Sequence, residues 1–211
     1  MDKVSGKVLA LTFDDGPNNN VMVQIIELLN RYDAKATFFV VGNRITEVSA
    51  PVLLAAAEQG FEIGNHSENH LHMTKLSREQ IAREIASVQE RVEAIIGRQP
   101  VLFRPPYIDV DDRMLETINM PFIAGSGNRD WDPDCTAVQR AALALQNAKD
   151  GAILLMHCFE GNEATVEALR VILPELKQRG YRMVTVSRLF EEKRISLENG
   201  VMYGNAVGEG N

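Results

Sequence analysis

Five short polar segments contain the residues whose types and spacing suit chemistry. The segment 12–17, TFDDGP, places two carboxylates, Asp14 and Asp15, side by side before a Gly-Pro turn. The segment 66–70, HSENH, holds two of the chain's four histidines at i and i+4. On a helical turn that spacing puts both imidazoles on one face, where two ring nitrogens can bind a transition metal. In 104–107, RPPY, consecutive prolines stiffen the backbone that carries Arg104 and the backbone N–H of Tyr107. Asp130 and Trp131 are adjacent, and Leu155 and His157 close an apolar run. Each segment taken singly has an ordinary reading: a strand-ending turn, a polar helix start, a rigid surface turn, a loop with a packed aromatic, and a core histidine with satisfied hydrogen bonds. His72, two residues past His70, reads as a surface or supporting residue rather than a ligand.

The elements that must position these groups alternate in type. Strand-like runs fall at 7–13, 35–41, 61–64, 101–103, 121–124, 152–156 and 181–186, where β-branched, aromatic and other apolar residues cluster. Helical runs fall at 21–31, 52–59, 77–96, 111–118, 136–148 and 163–179. The helix 77–96 is the clearest: Ser77 and Gln80 form a capping-box pattern, and Ile81, Ile85, Val88, Val92 and Ile95 make one apolar stripe before Gly97. Gly60 ends the 52–59 helix, Pro174 is expected to kink the 163–179 helix, and Ser187 to cap a short final one. The acidic run Asp109, Asp111 and Asp112 is read as capping the helix after it. Repeated β-then-α units imply a parallel sheet. Their number predicts an α/β fold, a distorted (β/α) barrel of seven or eight parallel strands, with an open doubly wound sheet as the alternative. In such a barrel, functional groups collect where strands end, which is where all five segments lie. The chain is expected to be a single domain over 1–211, with its motif-bearing core at about 7–190 and an irregular tail at 196–211.

Composition narrows the partners. The chain of 211 residues is 45% hydrophobic and 24% charged, ordinary for a globular protein. A net charge of −7 and no basic stripe argue against nucleic acid. No apolar run approaches the roughly 18–20 residues that cross a bilayer, so no membrane partner is expected. Residues 1–6 lack the apolar stretch of a signal peptide. The expected location is cytoplasmic, or secreted or at the cell surface if the chain is a trimmed form. Cys135 and Cys158 lie outside any C-x-x-C pattern and are expected as free thiols. A monomer is the default oligomeric state.

Together and in this order, TFDDGP, HSxxH, RPPY, DW and LxH resemble the five motifs of the polysaccharide deacetylases, the NodB-homology domain of carbohydrate esterase family 4. The resemblance spans about residues 7–190 and implies a metal-dependent hydrolase that removes acetyl groups from a polysaccharide or oligosaccharide. It implies Asp15, His66 and His70 as ligands of one divalent ion, zinc first, with cobalt or nickel as alternatives. It implies Asp14 as general base, His157 as general acid, Asp130 as the partner keeping His157 protonated, Arg104 as the group orienting Asp14, and the backbone N–H of Tyr107 as an oxyanion donor. Trp131 and Leu155 would wall the acetyl pocket, with Pro105 and Pro106 beside the substrate.

Asn18–Asn20, Ile108–Asp109 and Cys158 depart from the common pattern, which bears on substrate rather than mechanism. Ile108 follows Tyr107 where many members have Gly, so the adjoining surface is bulkier. O-deacetylation of acetylxylan is favoured, because RPPYID and the tail LENGVMY resemble bacterial acetylxylan esterases. N-deacetylation of chitooligosaccharides or peptidoglycan is the alternative. A catalytically inactive carbohydrate-binding domain is disfavoured because every acid–base and ligand position is filled. A structural metal site is disfavoured because such sites usually use four protein ligands.

Overall fold

A computed structural model describes residues 6–207. The strands are β1 (Lys7–Gly16), β2 (Ala36–Val40), β3 (Glu62–Asn65), β4 (Phe122–Ile123), β5 (Ser126–Gly127), β6 (Ile153–His157), β7 (Tyr181–Val184) and β8 (Met202–Tyr203). The helices are α1 (Val21–Arg31), α2 (Ala50–Glu58), α3 (Arg78–Ile96), α4 (Asp112–Thr117), α5 (Ala137–Asn147), α6 (Glu163–Gln178) and α7 (Val186–Lys193). Every named strand pair is parallel. The order β3-β2-β1-β6-β5 forms the main sheet, with β7 on the first residues of β1 and β8 on β4.

The pairing explains how so many short strands enclose one site. Phe103 bridges Asn65 at the end of β3 on one side and Phe122 of β4 on the other. The stretch 122–127 then reaches β6 through β5. Pairing thus passes from β1 through β2, β3, Phe103 and 122–127 back to β6, with single bridges at two of its joints. This is the distorted parallel α/β arrangement expected from the alternating elements. The predicted strand at 101–103 is only this bridge, because Pro105 and Pro106 lack the N–H that a longer ladder needs.

Side-chain alternation along β1 divides the core and aims the chemistry. Leu9, Leu11 and Phe13 pack outward among the helices. Val8 and Ala10 face the other way, into the cluster with Phe39, Ile123 and Ile153. Thr12 and Asp14 continue that second row. On β6, Leu154 and Met156 join the outer core, while Leu155 and His157 share the face of Ile153. Asp14 pairs in register with His157, and Thr12 with Leu155.

The capping predictions hold for α3: Ser77 and Gln80 form the reciprocal box, and Gly97 is left-handed at φ 74°. The side chain of Asp111 caps α4. Three expectations need correction. Thr185, not Ser187, caps α7 by accepting from the Arg188 N–H; Ser187 instead hydrogen-bonds Glu62 through its N–H and its hydroxyl. Residues 66–70 are not helical, since Ser67 and His70 take left-handed backbone angles of 65° and 54°. The tail is not irregular throughout: β8 extends the sheet at β4, and Ala206 N–H donates to Gly151 O at 2.7 Å. Residues 208–211 of that tail lie outside the described residues. Helix α6 runs through Pro174. Both cysteines are buried and free. No helix among the described residues is long and apolar enough to cross a membrane.

Candidate active site

A cavity of about 560 Å³ opens where the strands end, lined by Asp14, Asp15, His66, His70, Pro105, Tyr107, Ile108, Gly125, Gly127, Trp131, Leu155 and His157. Of the predicted residues, Arg104 and Asp130 stand behind this lining, both buried, where they can hold other groups but not touch substrate. Pro106 is also buried and outside the lining, so the expected substrate contact there is not met. Its carbonyl instead accepts the Asp109 N–H at 3.2 Å, closing the turn.

Asp15 sits at a register shift between β1 and β2, with φ at 72°, which turns its carboxylate away from the row of Asp14. His66 follows β3 directly. Its Nδ1 lies 2.7 Å from Arg104 O and so donates there, leaving the Nε2 lone pair free. Burial pushes the His66 pKa from 6.5 down to about 3, against the opposing charge of Asp15, so the ring is neutral. The loop to His70 is held from outside: Asn65 accepts the Ser67 N–H, Ser67 Oγ accepts the His70 N–H, and Glu84 on α3 receives two hydrogen bonds from Asn69. Burial also lowers the His70 pKa.

The ligand atoms of Asp15, His66 and His70 all lie within 4.8 Å of one another. Asp15 Oδ1 is buried and receives no hydrogen bond, although His70 Nε2 stands at 3.4 Å and Arg44 Nη1 at 3.5 Å. A buried carboxylate oxygen that receives no hydrogen bond, with two imidazole nitrogens facing it, is costly unless a cation sits between them. The three residues therefore fit a divalent ion, with a donor set suited to an open catalytic site.

Asp14 lies beside this set. Its Oδ1 accepts from Arg104 Nη1 at 2.7 Å, and its Oδ2 is 3.8 Å from His66 Nε2. Arg104 has no exposed surface; it also donates to Thr12 Oγ1, Ile123 O and Ala124 O, and its guanidinium lies 4.2 Å over the Phe39 ring. Across the cavity, His157 Nδ1 meets Asp130 Oδ1 at 2.7 Å. Asp130 Oδ2 also accepts from the His157 N–H and from Thr165 Oγ1. Burial alone would lower the His157 pKa, but the hydrogen bond and charge of Asp130, with Asp14 and Asp15 beyond, outweigh it and raise the value.

The deacetylase family model matches residues 2–120, under the description polysaccharide deacetylase. A peptidoglycan-N-acetylglucosamine deacetylase of Bacillus cereus is 37% identical over 196 residues, covering 89% of this chain and 90% of that protein. The chain belongs to the polysaccharide deacetylase family. Another member, a bifunctional xylanase/deacetylase of Pseudobutyrivibrio xylanivorans, is 41% identical over 90% of this chain, which spans only 31% of that protein's length. The solved structure of a family 4 acetyl xylan esterase from Clostridium thermocellum, in complex with a cobalt ion, superposes on this family member with a TM-score of 0.91 at 37% identity, over 94% of this chain and 98% of that one.

Arg44, Asn162 and Thr165 support the site without any signal in the sequence. Arg44 donates to the Asp15 carbonyl and approaches its carboxylate. Thr165, and Asn162 through the His157 carbonyl, brace the Asp130–His157 pair. His72, expected as a surface or supporting residue, stacks its ring on Tyr107 at 3.9 Å and 14°, and its Nδ1 is 3.8 Å from Asp109 Oδ2. Thr12, two residues before Asp14 on the same strand face, also has a signal in the sequence.

Proposed function

We propose that this chain hydrolyses acetyl groups from a carbohydrate polymer, with one divalent ion held by Asp15, His66 and His70. The observation that carries this reading is the register pair Asp14–His157: two proton-transfer groups on neighbouring strands line one cavity with the three ligands, each backed by a buried partner of opposite charge.

When bound, the ion supplies positive charge that acidifies an attacking water and polarises the acetyl carbonyl. Asp14 takes the proton from that water through Oδ2, since Arg104 occupies Oδ1. His157, held by Asp130 through Nδ1, presents Nε2 and its proton to the departing sugar oxygen or nitrogen. Tyr107, left-handed at φ 61°, offers its backbone N–H to the developing oxyanion. Leu155 and the exposed Trp131 form apolar walls for the acetyl methyl and the sugar.

Zinc suits the donor set first, and cobalt or nickel could replace it. O-deacetylation of acetylxylan is the favoured reaction, supported by likeness to the xylanase/deacetylase and to the acetyl xylan esterase. N-deacetylation of N-acetylglucosamine polymers is the second reading, supported by the B. cereus relative that this chain nearly matches in length. Either polymer suggests action at or beyond the cell surface.

The test is acetate release from acetylxylan, N-acetylglucosamine oligomers and peptidoglycan side by side, with and without chelator. Release that stops on chelation and returns with Zn²⁺ or Co²⁺ is expected. Full release in excess chelator would remove the metal from the mechanism, and no release from any of the three would remove the deacetylase reading.

A further inference from the structure

Eight non-glycine residues among those described take positive φ, and five of them, Asp15 at the end of β1 and Ser67, His70, Tyr107 and Ile108 in loops, lie around the cavity. Ile108, at 54°, is the β-branched member of the set. Left-handed backbone brings Cβ against the following carbonyl, and a branched side chain pays most for it. Asp15 and His70 have ligand positions to account for their conformation. Ile108 has no such role, and core packing does not explain it either: it is 38% exposed and belongs to no buried apolar cluster.

The strain is held from both sides. Ile108 N–H donates to Pro105 O at 3.0 Å, Asp109 N–H donates to Pro106 O at 3.2 Å, and Asp109 Oδ2 accepts from Thr74 Oγ1 at 2.7 Å. Over-determined backbone strain of this kind gathers where a side chain must point somewhere particular. Here the side chain lines the catalytic cavity next to Tyr107. Gly125 and Gly127, also in the lining, add no side chain of their own.

We propose that Ile108 sets substrate specificity by narrowing the mouth of the cavity, so that the acetylated sugar must present a bare C–H face on that side. The preferred substrate is then a linear chain of acetylated pyranosides, and sugars bearing a lactyl ether or a peptide branch are disfavoured. A branched aliphatic wall offers contact to C–H groups and no hydrogen-bond partner for a carboxylate or amide. This inference rests on the deacetylase reading.

The test compares unmutated protein, Ile108→Gly and Ile108→Ala on two probes: an acetylated linear oligosaccharide and a muropeptide carrying its lactyl-peptide branch. In Ile108→Gly, kcat/KM for the branched probe relative to the linear one is expected to rise at least tenfold, with Ile108→Ala showing a smaller rise. Thermal melting supplies a readout independent of turnover. Ile108→Gly should melt above Ile108→Ala, because only glycine relieves the left-handed backbone. A relative kcat/KM unchanged within twofold in both variants would overturn the specificity role, and a lower melting point for the glycine variant would overturn the strain on which it depends. Unmutated protein that releases no acetate from either probe or from acetylxylan would overturn the deacetylase reading itself.

Discussion

Arg104 and Asp14 meet at 2.7 Å where neither side chain has more than 3% of its surface exposed. Burial lowers the pKa of the guanidinium, and the charge of Asp14 and its hydrogen bond counter that shift. Replacing Arg104 with Met should leave Asp14 as an unpaired buried charge, a loss of about 3–5 kcal/mol. It should also free the carboxylate to rotate. Chemical denaturation and turnover are both expected to fall; a fully active, fully stable Arg104→Met protein would show that the pair positions nothing.

Asp14→Asn keeps the shape and can still accept from Arg104, so folding and metal content should survive. Turnover should drop by about 10²–10⁴-fold, the range for losing a general acid–base group. Retained activity would exclude Asp14 as the base.

His66→Ala and His70→Ala should each lower divalent-metal affinity, read by titration calorimetry on chelator-treated protein. Unchanged stoichiometry and affinity would refute the ligand assignment. His66 also makes the metal-free protein acid-sensitive. Its folded pKa is about 3 against an ordinary 6.5, so below pH 6.5 the unfolded chain gains a proton that the folded state refuses. Stability from this group is therefore lost progressively as pH falls from about 6.5 towards 3. Denaturation midpoints at pH 7 and pH 4 should differ in that direction, and less so in His66→Ala.

For His157 the sign is opposite. Its raised pKa means the protonated acid persists above pH 6.5, and the stability of its pair with Asp130, present below 6.5, is lost as pH rises through the raised value. Asp130→Asn removes the anion. The basic limb of kcat/KM against pH should then move to lower pH, while an unmoved limb would exclude His157 as the acid.

The His72 ring on Tyr107 braces a left-handed residue beside the reacting centre. Such an aromatic pair is worth roughly 0.5–1.5 kcal/mol. His72→Ala should reduce kcat several-fold with metal affinity unchanged, and His72→Phe should restore it through the stack alone. Failure of Phe to rescue would point to the His72–Asp109 contact instead.

Much of this protein is legible in its sequence. The α/β alternation, the α3 capping box and the left-handed Gly97 follow from local rules acting over a few residues. Asp14, Asp15, His66, His70, Arg104 and His157 were legible as residue types at the ends of predicted strands, and their resemblance to a family supplied the roles. Tertiary structure decided what depends on distant chain segments. The two imidazoles converge through a loop braced by Glu84 and Asn65 rather than through helical spacing. The tail becomes β8 because β4 offers it a free edge, about 80 residues upstream. Arg44, Thr165 and His72 gain their functions from neighbours 29 to 35 residues away along the chain, contacts that no local pattern encodes because they exist only once the strands have brought those segments together.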